Sequence, residues 1–299
     1  VIGRATPLIF TGLAFAIPYS VGLLNLGAEG QIIVGAMVGA LIGAYLPLPS
    51  IIQIPLIMVG GAMGGMLCAV LCGYLKLKFG ASEVVTTVML NSVIMLLAEY
   101  CVNGPLNGMP SQPQTAPILD TAKLPKLDIR ADYSTAIFIA IAVAILMWIF
   151  INKTVLGYEV RASGLNLKAS RYKGINVTTV SLLAMSMGGL IAGMGGAVEV
   201  MGTQHSYYHG FLANYGYTGM GVALIARNNP IAVIPAAIFL AAIRVGGMAI
   251  DRLTPIPSHF IWVLQGMMII ALAVPNMMSL VVGIKDFFMN LFKQKQVGC

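Results

Sequence analysis

Long apolar runs follow one another along this chain with only short polar breaks between them. A membrane-crossing helix takes about 20 apolar residues. Nine runs are read as such spans: about 5–24, 31–48, 51–75, 84–101, 134–152, 180–200, 213–226, 230–248 and 258–282. Charged residues are 9% of the chain and apolar residues 58%, where a soluble domain carries about 25% charge. A soluble fold of 299 residues is therefore excluded, as are a disordered chain, a collagen and a disulfide scaffold. The pattern predicts an all-α, polytopic transmembrane helix bundle, one domain over residues 1–299. The seventh run is short and fits a broken or re-entrant helix. The first two runs are either separate spans or one interrupted element.

Lys and Arg in the loops set the orientation. Segment 153–179, with Lys153, Arg161, Lys168, Arg171 and Lys173, is assigned to the cytoplasm, and so are Lys76, Lys78, Arg227 and the tail 283–299. The Pro-rich loop 102–133 balances Lys123, Lys126 and Arg130 against Asp120, Asp128 and Asp132 and is assigned outside. Loops 201–212 and 249–257 also go outside, with Arg244 and Arg252 dissenting. This alternation leaves residue 1 outside, and the chain begins at Val1 without an initiator Met. Both point to one further upstream helix, ten spans in all. In a membrane protein a net charge of +7 belongs to cytoplasmic loops, not to a nucleic-acid site. Cys68, Cys72 and Cys101 read as small buried hydrophobes.

Small residues are spaced for close helix packing. Gly35, Gly39 and Gly43 share one face, and Gly60/Gly64, Gly61/Gly65 and Gly189/Gly193 repeat the spacing. Asn25-Leu-Gly-Ala-Glu-Gly30 is echoed by Asn214-Tyr-Gly-Tyr-Thr-Gly219, each entering a small-residue run. Inverted repeats with interrupted helices mark many transporters, though six positions also recur by chance.

Catalytic motifs are missing: no phosphate-binding G-x-x-x-x-G-K-[ST], no H-E-x-x-H and no G-x-S-x-G. His205 and His209, four apart, have no evident third ligand, and with Tyr207 and Tyr208 they read as an interfacial belt, not a metal site. Glu29 lies between two apolar runs with no adjacent cation. Either it faces a cavity or partner at membrane depth, or 25–31 is a surface loop. Asn91 is either a pathway residue or interhelical glue. Glu83, Glu99 and Glu199 are weaker candidates for a polar path. In 157–177, Asn166 is placed to cap a short helix bearing Lys168, Arg171 and Lys173, and Gly174 to end it. That is either an ordinary basic loop or a surface offered to a cytoplasmic partner.

The motif Asn25-Leu-Gly-Ala-Glu-Gly-Gln31 with its small-residue helix resembles permease subunits of ABC importers of the branched-chain amino acid, ribose and nucleoside class. The Gly-Ala-Glu-Gly-Gln form is that of the nucleoside and simple-sugar branch. In order there follow Glu83-Val-Val-Thr-Thr-Val-Met-Leu-Asn91, Arg161-Ala-Ser-Gly-Leu-Asn166 with Ala169, Arg171 and Gly174, then Gly189-Leu-Ile-Ala-Gly-Met-Gly-Gly196. Last comes Tyr217-Thr-Gly-Met-Gly-Val-Ala-Leu-Ile-Ala-Arg-Asn-Asn-Pro230. The matches run from about 5 to 282; Leu26 and the expected first helix are departures. The resemblance implies a permease of the bacterial plasma membrane, embedded in lipid, that is not itself an enzyme and holds no cofactor. Its implied partners are a cytoplasmic ATPase, a second permease subunit, identical or paralogous, and an extracytoplasmic solute-binding lipoprotein. Arg161, Gly164, Asn166, Ala169, Arg171 and Gly174 fall in its ATPase coupling loop. A neutral, hydroxyl-rich solute, a nucleoside or free sugar, needs hydrogen-bonding partners, and Asn25, Glu29, Gln31, Asn91, Tyr207 and Tyr208 are the candidates. The rival reading is a secondary transporter driven by an ion gradient, with Glu29 as its ion site.

Overall fold

A computed structural model describes residues 1–109, 112–126, 134–253, 263 and 265–267. The described residues form ten α-helices: α1 (Ile2–Tyr19), α2 (Ala28–Tyr45), α3 (Ser50–Phe79), α4 (Glu83–Asn103), α5 (Ala136–Lys153), α6 (Val155–Leu165), α7 (Leu167–Tyr172), α8 (Val177–Glu199), α9 (Tyr215–Ile225) and α10 (Val233–Leu253). Among the described residues the only strand-like pairings are two isolated bridges. Six helices among the described residues are long and apolar enough to cross a membrane: α2, α3, α4, α5, α8 with its π-helical extension to Gln204, and α10. The chain is thus a multi-spanning helical protein. The ninth apolar run, 258–282, lies almost wholly outside the described residues.

Helix ends fall where local chemistry puts them. Gly80 closes α3 at φ 67°, with Lys76 and Lys78 in the last turn, where cations suit the helix dipole. Thr154 caps α6 through Gly157 N–H at 3.0 Å. The first two runs are not one interrupted helix. The chain turns after Ser20, and Asn25 Nδ2 donates back to the Ala14 carbonyl at 3.2 Å. Ala14 lies six residues before Ser20, the C-cap of α1, or about 9 Å of helix. So α2 begins well inside the bundle, beside the middle of α1.

Every residue from 5 to 18 of α1 is buried, as expected of a helix apolar on all sides. It is walled by α5, α8, α9 and α10. On its other side α8 packs against α2 and α3 through glycine. A Cβ at Gly193 would overlap the Gly61 carbonyl, and one at Gly35 the backbone of Gly193. The small-residue faces read from the sequence therefore meet one another. Residues 104–109 and 112–126 of the loop fold across one end of the bundle. Leu119 N–H reaches Gly43 O at 2.9 Å, Ile118 N–H reaches His205 O at 2.8 Å, and Thr115 N–H reaches Tyr207 O at 2.9 Å. Thr121 Oγ1 donates to Gln53 Oε1 of α3 at 2.6 Å.

Candidate functional site

The two N-x-G-x-x-G segments, far apart in sequence, meet inside the bundle. Each begins a helix: Gly27 is the N-cap of α2 and Asn214, at φ 66°, that of α9. A helix start leaves N–H groups without intrahelical acceptors. Glu29 supplies acceptors to α9. Its Oε1 accepts from Asn214 N–H and its Oε2 from Gly216 N–H, each at 2.6 Å. Glu29 is 2% exposed, and such charge-assisted bonds offset the cost of burying its carboxylate. Arg244 adds an attractive charge. Gly216 lies so close to Glu29 that any Cβ there would overlap its backbone.

Asn91 of α4 does the same for α2. Its Oδ1 accepts from Gly30 N–H at 2.9 Å, and its Nδ2 donates to Leu26 O at 2.8 Å and to Tyr217 Oη at 3.5 Å. The amides of Asn25 and Gln31 pair both ways at 3.0 Å, and Gly27 N–H donates to Asn25 Oδ1 at 3.1 Å. Four predicted pathway residues, Asn25, Glu29, Gln31 and Asn91, thus form one buried network. Segment 25–31 is not a surface loop.

Tyr207 and Tyr208 do not join that network. Tyr207 is buried under the folded loop, with its backbone N–H on Thr115 Oγ1 at 2.9 Å and its ring edge-on to Phe211. Burial pushes its phenol up to about 12. Tyr208 donates to Gln204 Oε1 at 3.1 Å, and partial burial raises its phenol as well. His205 is held below the ordinary histidine value, by burial and then by Lys123 and Lys126. Among the described residues no group of three or more His, Cys, Asp or Glu is arranged to hold a metal.

Sequence reasoning missed Arg4, Tyr215 and Arg244. Arg244 counts there as a dissenting loop charge. In the structure its guanidinium lies over the Tyr215 ring, 4.1 Å from the centroid, and its Nη2 donates to Ala213 O at 3.3 Å. Arg4 Nη1 donates to Tyr215 Oη at 3.1 Å. The available signal was the presence of both arginines within or beside apolar runs, where an ionisable side chain normally has a partner.

At the other end of the bundle, α7 is the short helix expected. Asn166 Oδ1 accepts from Lys168 N–H and Ala169 N–H at 3.1 Å each, and Gly174 follows at φ 83°. Helix α6, which the loop reading did not anticipate, turns sharply off α5. A groove between α6 and α7 is lined by Tyr158, Arg161, Leu165, Asn166, Ala169 and Lys173. Leu165 and Tyr172 are 89% and 93% exposed. Gly164 is seated on α1, where a Cβ would overlap the Ser20 carbonyl.

The family described as "Branched-chain amino acid transport system / permease component" matches residues 1–273. The glucose ABC transporter permease TsgB13 of Haloferax volcanii is 32% identical, over 91% of this chain and 74% of its own length. The guanosine ABC transporter permease NupP of Bacillus subtilis is 32% identical, over 94% and 82%. The nucleoside ABC transporter permease NupB of Lactococcus lactis is 31% identical, over 83% and 72%. No solved structure matches.

Proposed function

This chain belongs to the permease-component family of the branched-chain amino acid transport systems, and on that premise we propose that it forms the pathway for a nucleoside or a related simple sugar. It is a transport subunit, not an enzyme, and a multi-pass plasma membrane protein. The family implies an ATPase and a solute-binding protein as partners. The proposed unit is one permease domain over residues 1–299, with nine crossings. It pairs with a second permease subunit, and its cytoplasmic face takes the ATPase on Arg161, Gly164, Asn166, Ala169, Arg171 and Gly174.

One observation carries this reading: two helices, α2 and α9, start inside the bundle at Glu29. Helix termini buried within a bundle are how transporters bring polar backbone to a solute. Asn25, Glu29, Gln31 and Asn91 build and hold that junction, while Tyr207 and Tyr208 flank its approach from the side of the folded loop. Two of the three relatives named above are nucleoside or guanosine permeases, which favours a nucleoside over a free sugar.

The test is uptake of labelled nucleoside into proteoliposomes holding this chain with its co-purified ATPase and binding protein. Uptake is expected to require ATP and to survive a proton uncoupler. Uptake without the ATPase that collapses under the uncoupler would return the protein to the secondary-transporter reading.

A further inference from the structure

The Glu29 junction is one end of a longer polar chain. Tyr215 opens α9, beside the amides that Glu29 holds, and carries Arg4 on its hydroxyl and Arg244 over its ring. Arg4 is an attractive charge for Glu199 at the end of α8, and the π-helical turn Val200–Gln204 continues directly from it. Gln204 accepts from Tyr208, which is 38% exposed. The chain therefore leads from the surface beside the folded loop to the place where α2 and α9 begin.

Two atoms in this chain stand open. Glu199 is 3% exposed, yet its Oε2 has no hydrogen-bond partner among the described residues, and neither has the buried Nη1 of Arg244. Buried polar groups are normally satisfied, and one left short is costly, above all when charged. One open atom is an acceptor and the other a donor. A hydroxyl both donates and accepts, so a sugar ring offers what both lack.

We propose that Glu199 and Arg244 bind the ring hydroxyls of the solute during passage, with Arg4 and Tyr215 as positioning residues. This rests on the importer reading above. Transport by the reconstituted complex is measured at saturating, loaded binding protein, so that capture by that protein does not enter. The two solutes are a ribonucleoside and its 2′,3′-dideoxy analogue. The wild type is expected to move the ribonucleoside about tenfold faster or more, because a site built around hydroxyls rejects an analogue lacking them. Glu199→Gln and Arg244→Lys are expected to shrink that ratio below about threefold, while ATPase activity persists. Variants that transport with an unchanged ratio overturn the site. A wild type with no ATP-dependent uptake instead overturns the importer reading beneath it. Should neither variant assemble, wild-type protein carries the test. Ribonucleoside is expected to protect Glu199 from a lipophilic carbodiimide, read by peptide mass, and equal labelling with and without it overturns the site.

Discussion

A carboxylate at 2% exposure is tolerable only where donors surround it, and Glu29 finds them at the start of a helix 185 residues away. Replacing it with Gln keeps one acceptor oxygen but turns an amide NH2 toward the second backbone N–H. One buried donor is then orphaned, at about 1–3 kcal/mol. Glu29→Gln is therefore expected to lower the melting temperature of the detergent-solubilised protein and to slow uptake; melting equal to wild type would remove the capping role. That Glu29, Asn25, Gln31 and Asn91 would need polar partners was legible, because polar side chains amid apolar runs are rarely idle. Their partners were not, since no periodicity relates residue 29 to residues 214 and 216. Arg4 and Arg244 were obscured for a related reason. A topology argument counts arginines as loop markers, and their partner, Tyr215, looks like one more apolar-run aromatic.

Elements were read unevenly, and capping chemistry explains why. Helix α7 was legible because its start and stop are local: Asn166 bonds N–H groups two and three residues on, and Gly174 takes a positive φ. Helix α6 has a local start cap as well, Thr154 on Gly157 N–H, but it ends at Asn166 without a glycine stop, so it read as loop. Asn166→Ala is expected to cost about 1 kcal/mol of local helix stability and to weaken ATPase association, measured by co-purification; undiminished recovery of the ATPase would sever α7 from docking. Glycine spacing gave the packing faces but not which faces meet. Gly193 touches backbone of α3, whereas a Cβ at Gly60 would overlap only the end of the Ile42 side chain and lie in ordinary contact with Val38. Overpacking against fixed backbone costs about 1–3 kcal/mol or more, while a side-chain tip can move aside. Gly193→Ala should thus reduce the folded fraction in size-exclusion profiles and Gly60→Ala should not; similar profiles for the two would contradict the three-helix contact.

At the scale of the whole molecule, α1 joins the Glu29 junction to the α6–α7 surface. Its last turn meets Gly164 of α6 through Ser20 O, its middle accepts Asn25 at Ala14 O, and its first turn places Arg4 on Tyr215. A helix buried along nearly its whole length cannot shift at one end without disturbing its neighbours at the other, because close-packed interiors transmit displacement. Motion of the α6–α7 surface therefore has a physical route to the start of α9. Gly164→Ala forces the backbone of α6 away from Ser20 without touching the exposed side chains of the groove. The ATPase should still bind and hydrolyse ATP at its basal rate. Stimulation of that rate by loaded binding protein, and uptake with it, should fall severalfold. If stimulation and uptake both stay at wild-type levels in Gly164→Ala, the contact at Ser20 transmits nothing, and coupling must reach the junction through α8 instead.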